Sequence, residues 1–145
     1  MPDSAREAAL KALTSQLAAG LSGVSVSRND PVEEEIGAGQ VTVWDGDPGQ
    51  PVQSFSPPLW HWEHEALLEV LVEGLDPDPR SAALDALLQQ VGAAIEADPT
   101  LNGTVEFAQV AGLAPTDHEL IPGGVEIAGM PVIVLLHYTS SSPLG

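Results

Sequence analysis

Residues 59–74 read LWHWEHEALLEVLVEG, and everything else in the chain is placed relative to them. Every second residue gives Trp60, Trp62, His64, Ala66, Leu68, Val70 and Val72. The alternate set is Leu59, His61, Glu63, Glu65, Leu67, Glu69, Leu71 and Glu73. A period of two sustained this long predicts a β-strand, because successive side chains leave a strand on opposite faces. A helix would scatter the glutamates around its circumference. The strand has one apolar face and one face carrying an acidic row. At roughly 3.3 Å per residue it reaches about 45 Å, against a usual ~17–20 Å. A strand of that length projects past the core of a small protein, which points to a partner.

Outward from this strand, Ser4 and Glu7 form a capping box ahead of Leu10, Leu13, Leu17 and Leu21, so a helix is expected over residues 5–19, stopped by Gly20 and Gly23. Val24 and Val26 alternate with serines in a short strand ending at Arg28. Residues 29–39, with Glu33, Glu34 and Glu35, read as an exposed loop. Val41 and Val43 start a second strand that ends at Trp44. The Asp-Gly-Asp-Pro-Gly run at 45–49 is turn chemistry, and residues 52–55 are expected to return as its hairpin partner. After the long strand, Asp78 as N-cap with Pro79 at the first helical position opens a second helix. Its core stripe is Leu84, Leu87, Leu88, Val91 and Ile95. Val105, Phe107 and Val110 mark another strand, and residues 111–124 a loop. Residues 125–139 are apolar on both sides, as suits a central strand, with Pro131 suggesting a bulge. The expected fold is α+β, a mostly antiparallel sheet with two helices on one face and a protruding long strand and hairpin. It forms one domain over residues 1–139 with a loose tail at 140–145.

Composition limits the chemistry. Of 145 residues, 21 are acidic and four are basic (Arg6, Lys11, Arg28 and Arg80), a net charge of −17. No basic patch exists for a phosphate backbone or an anionic membrane, so tight nucleic-acid binding and membrane binding are not expected. The chain has no cysteine, hence neither disulfides nor thiolate chemistry. The start, MPDSAREAAL, lacks the basic and apolar blocks of a signal peptide, and the expectation is a cytoplasmic origin.

His61, Glu63 and Glu65 share the acidic face at a spacing of about 6.6–7 Å, near enough for two side chains to converge on a metal. His64 points the other way, and a catalytic zinc wants three protein ligands, so no metal site is assigned. No Gly-x-Ser-x-Gly and no phosphate-cradling loop with a following cation occurs. Catalytic residues, cofactors and enzymatic activity are therefore not expected.

The order of parts resembles a known family. A leading helix is followed by Gly-Val-x-Val-x-Arg-Asn at 23–29, then Asp-Gly-Asp-Pro-Gly at 45–49 and Trp-Glu-His-Glu at 62–65. A helix, a late apolar strand ending His-Tyr-Thr at 137–139, and Pro-Leu-Gly at 143–145 complete it. This sequence of elements is similar to the tail-terminator or minor tail proteins of long-tailed phages and gene transfer agents. The resemblance implies a ring, usually a hexamer, between the tail tube protein and the head–neck connector protein in the virion tail. It is assembled in the bacterial cytoplasm, and DNA passes through it without tight binding. An acidic wall suits a conduit for a polyanion. The candidates for facing the lumen are Glu33, Glu34, Glu35, Glu63, Glu65, Glu69 and Glu73. Trp44, Phe55 and Trp60 are the subunit-interface candidates, since aromatic residues are enriched at interfaces. The alternatives are an acidic DNA mimic, a small accessory binding protein, and a metalloenzyme using His61, Glu63 and Glu65.

Overall fold

The computed structural model describes residues 2–30, 39–74, 76–113 and 127–145. The elements follow the order α1 (Ala5–Gly20), β1 (Ser25–Arg28), β2 (Gln40–Asp47), β3 (Val52–Ser54), β4 (Leu59–Glu73), α2 (Pro77–Ala97), β5 (Phe107–Leu113) and β6 (Ile127–Ser140). The sheet order is β1-β2-β4-β6-β5, with β3 paired to the start of β4. Among the described residues only β1 and β2 pair in parallel. The fold is α+β.

The centre of the sheet is the β4–β6 ribbon, in unbroken antiparallel register from Trp60↔Ser140 to Glu73↔Ile127. Pro131 does not bulge it, contrary to the sequence expectation. It stands opposite Glu69 in register, and β5 pairing ends at its neighbour Val132, so no strand on that side waits for the missing N–H. The alternation read from the sequence holds along β4. Trp62, His64, Ala66, Leu68, Val70 and Val72 are buried, while His61, Glu63 and Glu65 are exposed.

Both helices pack on the buried side. Leu10, Leu13, Leu17 and Leu21 meet Leu87, Val91 and Ile95 over Val41, Val43, Leu68, Val132, Val134 and Leu136. The helices touch closely where α1 ends, since a Cβ added at Gly20 would stand 2.8 Å from Ala94 Cβ. Gln16 fastens the pair by donating from Nε2 to the carbonyl of Ala94 in α2 at 2.7 Å and to that of Asp98, just past its end, at 3.0 Å. The carbonyls of a helix's last turn lack a helical donor, and the Asp98 carbonyl also accepts from the Leu101 N–H at 3.1 Å.

Several local expectations are corrected. The capping box is half formed: Ser4 Oγ accepts from the Glu7 N–H at 3.1 Å, but the Glu7 carboxylate turns to Arg28. The α2 helix begins one Asp-Pro earlier, with Asp76 as N-cap making no side-chain cap bond and Pro77 in the first turn. Either proline suits a first turn, where backbone N–H groups have no helical partner, so the repeated pair leaves the start ambiguous in sequence. The 52–55 segment pairs with β4 instead of β2, through Val52↔His61, Gln53↔Trp60 and Ser54↔Leu59. The Asp-Gly-Asp-Pro-Gly run is partly strand, bulged between Trp44 and Asp47. Gly46 sits there at φ +71°, and a Cβ would collide with the Glu65 carbonyl oxygen. The protrusion is the β3–β4 tip, where residues 55–58 are all exposed. Residues 111–113 belong to β5, and the remainder of the expected 111–124 loop lies outside the described residues. Ser140 closes β6, and Leu144 is tied back by a 2.8 Å bond from Arg6 Nη1 to its carbonyl.

Candidate assembly surface

The side of the sheet away from the helices is built from odd-numbered residues of β4 and β6, which the continuous register sets side by side. His61 lies opposite Thr139, Glu63 opposite His137, Glu65 opposite Leu135, Leu67 opposite Ile133 and Glu69 opposite Pro131. Glu63 and Glu65 are exposed; Glu69 and Glu73 are half-buried. Glu33, Glu34 and Glu35 lie outside the described residues.

The face is less uniformly wet than an acidic row implies. Leu67, Ile133 and Leu135 are half-buried between the carboxylates, and Leu71 is buried, its side chain lying where Gly129 has none. Trp44 Nε1 donates to Glu69 Oε2 at 3.1 Å, so one of the four β4 carboxylates is committed to an indole. Gln40 and Thr42 of β2 are buried, with Gln40 Nε2 donating to Thr42 Oγ1 at 3.2 Å. His61 spends a ring nitrogen on Ser54 Oγ at 2.8 Å, tying β3 to β4. At the β5 side Phe107 stacks on His137, with centroids 4.1 Å apart and planes 18° apart. Among the described residues no three of His, Asp and Glu are grouped to hold a metal ion.

The cations all lie on one side of the sheet, among carboxylates of their own such as Glu7, Asp78, Asp85 and Glu96. All four cations of the chain are engaged in or against the helical layer. Lys11 pairs with Asp3 at 3.0 Å, Arg6 donates to Leu144 O, and Arg80 Nη1 donates to Gly74 O at 2.9 Å. Arg28 makes paired bonds to Glu7 at 2.8 and 2.9 Å and to Asp45 at 2.8 and 3.1 Å. The helix-free face therefore carries carboxylates and no cation.

The interface candidates divide. Phe55 stands at the hairpin tip, 74 % exposed. Trp44 is half-buried on the helix-free face. Trp60 is on the helix-covered side, partly buried against the core.

Behind this face lies a polar chain that residue spacing did not suggest. Arg28 holds Glu7 of α1 and Asp45 of β2, and the hydrogen bonds from its guanidinium hold both carboxyls below their ordinary range. Its own pKa rises in return. The Asp45 carbonyl accepts from His64 Nε2. That assignment makes Nδ1 the acceptor, and Tyr138 OH donates to it at 2.8 Å. His64 is fully buried, and desolvation pushes its pKa down, so it is neutral. Burial pushes the Tyr138 hydroxyl up to about 12. Tyr138 also stacks on Trp62, whose indole donates to Ser140 Oγ at 2.8 Å. The chain links α1, β1, β2, β4 and β6. Its His64–Tyr138 part satisfies polar groups inside the core, and its ionic end at Glu7 and Asp45 reaches solvent. The Arg-Asn and Asp-Gly-Asp runs supply the adjacent Arg28 and Asp45, and only the fold brings them together.

A shallow depression of about 280 Å³ is lined by Gly103, Thr104, Val105, Glu106, Tyr138 and Thr139, with Glu106 as its one carboxylate. Among the described residues no helix is long and apolar enough to cross a membrane. Neither a known protein-family model nor a characterised protein sequence matches the chain.

Proposed function

We propose that this chain is a structural virion protein, the subunit of a tail-terminator ring that joins the tail tube to the head–neck connector and lets DNA pass through an acidic lumen. One observation carries the reading: a sheet face with Glu63 and Glu65 exposed and no cation on it, while Arg6, Lys11, Arg28 and Arg80 are all engaged on the helical side. A wall of that kind repels a polyanion and leaves it free to slide. The helical layer packs behind that face and closes the core on its other side. The order of elements adds support, since it is the order of the family that the sequence resembles.

The test is reversal of charge on the exposed pair, Glu63→Lys with Glu65→Lys, in the assembled particle. Annuli should still form in negative-stain images, while DNA delivery drops by about tenfold or more as the wall begins to hold phosphates. Unchanged delivery removes Glu63 and Glu65 from the lumen. Particles whose necks assemble normally without this chain remove the ring reading altogether.

A further inference from the structure

Among the described residues β3 leaves a short, three-residue edge beside the start of β4, and the two edges at the ends of the strand order differ in a way that bears on self-association. At one edge, β1 is four residues long and ends in Arg28, which is locked to Glu7 and Asp45. At the other, β5 reads FAQVAGL, seven residues without a charge in a chain of net charge −17. Exposed edges are ordinarily blunted by charge, proline or a bulge, and β5 has no charge and no proline. It has a bulge between Val110 and Gly112, which leaves Phe107 to Val110 in regular register with β6. Phe107 is 44 %, Val110 38 % and Leu113 56 % exposed, and among the described residues no strand pairs with the outer edge. Phe107 is braced flat against His137, so the edge carries a rigid aromatic platform.

We infer that the outer edge of β5 is where a second copy of this chain docks, by main-chain strand pairing along residues 107–110 and apolar contact at Phe107, Val110 and Leu113. The occupant follows from charge. Two copies meeting through most of their surface would bring many carboxylates together with few cations to offset them, whereas the β5 edge brings only Glu106, at its very start. A strand added to a sheet edge binds through its backbone, so an uncharged strip suffices. The inference rests on the self-associating reading proposed above; β5 meeting β5 is a two-fold contact that joins subunits in pairs, and a closed ring needs a second contact besides it.

The full chain is followed by light scattering over a range of protein concentration, at low salt and at about 0.5–1 M salt, where the Debye length falls to a few ångströms and long-range repulsion is screened. The expected result is a mass that rises with concentration at high salt, with slowed amide exchange across residues 107–113. Val110→Glu with Leu113→Glu should hold the mass at one chain under the same conditions. Both side chains are partly exposed, and an unchanged urea melt verifies that the variant is folded. A wild-type chain that stays at one-chain mass at every salt concentration, or a variant that associates equally well, overturns the inference. Pairs that do not close into rings leave the β5 surface standing and remove the ring reading. Rings formed equally by the variant do the reverse.

Discussion

At the scale of the residue, the molecule turns on Arg28 and His64. Arg28 is the cation between two carboxylates from different elements, and its guanidinium fork matches both. Truncation to Ala leaves Glu7 and Asp45 facing each other, and since both are partly exposed the expected loss is about 1–3 kcal/mol in urea unfolding. Arg28→Lys keeps the charge without the fork and should recover only part of that. His64 gives a pH dependence with a definite sign. Its folded-state pKa lies below the ordinary 6.5, so the folded protein binds fewer protons than the unfolded chain. Its contribution is therefore full above about pH 6.5 and is lost as pH falls below that value towards the folded pKa. Urea midpoints between pH 7.5 and 5.5 should fall for the wild type, and the fall should shrink in His64→Gln. Glu7 and Asp45, with lowered pKa values, act in the same sense at lower pH, below about 4.5, and do not mask this window.

At the scale of the element, the legible parts were those fixed by local periodicity. The α1 stripe, the alternation of β4 and the apolar β6 each announce a face, because burial of one side selects a period of 3.6 or 2. Leu13→Ala, in the middle of the α1 stripe and fully buried, should cost about 2–5 kcal/mol through lost transfer energy and an unfilled cavity. The parts that were not legible depend on which neighbour a segment finds. Nothing in residues 52–55 distinguishes β2 from β4 as a partner, and two successive Asp-Pro pairs offer α2 two starts. Pro131 suggested a bulge because its neighbours were unknown. The open face was legible as carboxylates at Glu63 and Glu65, but not as the Trp44–Glu69 bond or the Leu71 cover over Gly129, both of which cross strands. Gly46 shows such a constraint most sharply. Gly46→Ala should destabilise by about 1–3 kcal/mol, since the left-handed backbone and the Glu65 carbonyl both oppose a Cβ. A thermal melt would detect it.

At the scale of the whole molecule, the charge imbalance acts on the fold as well as on association. With 21 acidic residues and four cations, the compact state works against its own repulsion, and screening relieves that. The melting temperature should rise by roughly a few degrees between low and moderate salt, a shift equivalent to about 1 kcal/mol. A flat or falling profile would mean that the ion pairs of Arg28 and Lys11 outweigh the general repulsion. The β4–β6 ribbon has one more consequence. Its rungs run without interruption from the Trp60 end to the Glu73 end, so a pull directed along the strands loads all of them together, whereas a pull across them would open one at a time. A subunit carrying tension along that axis would resist it as a bolted lap joint does, and would yield like a zip only if the force were turned sideways.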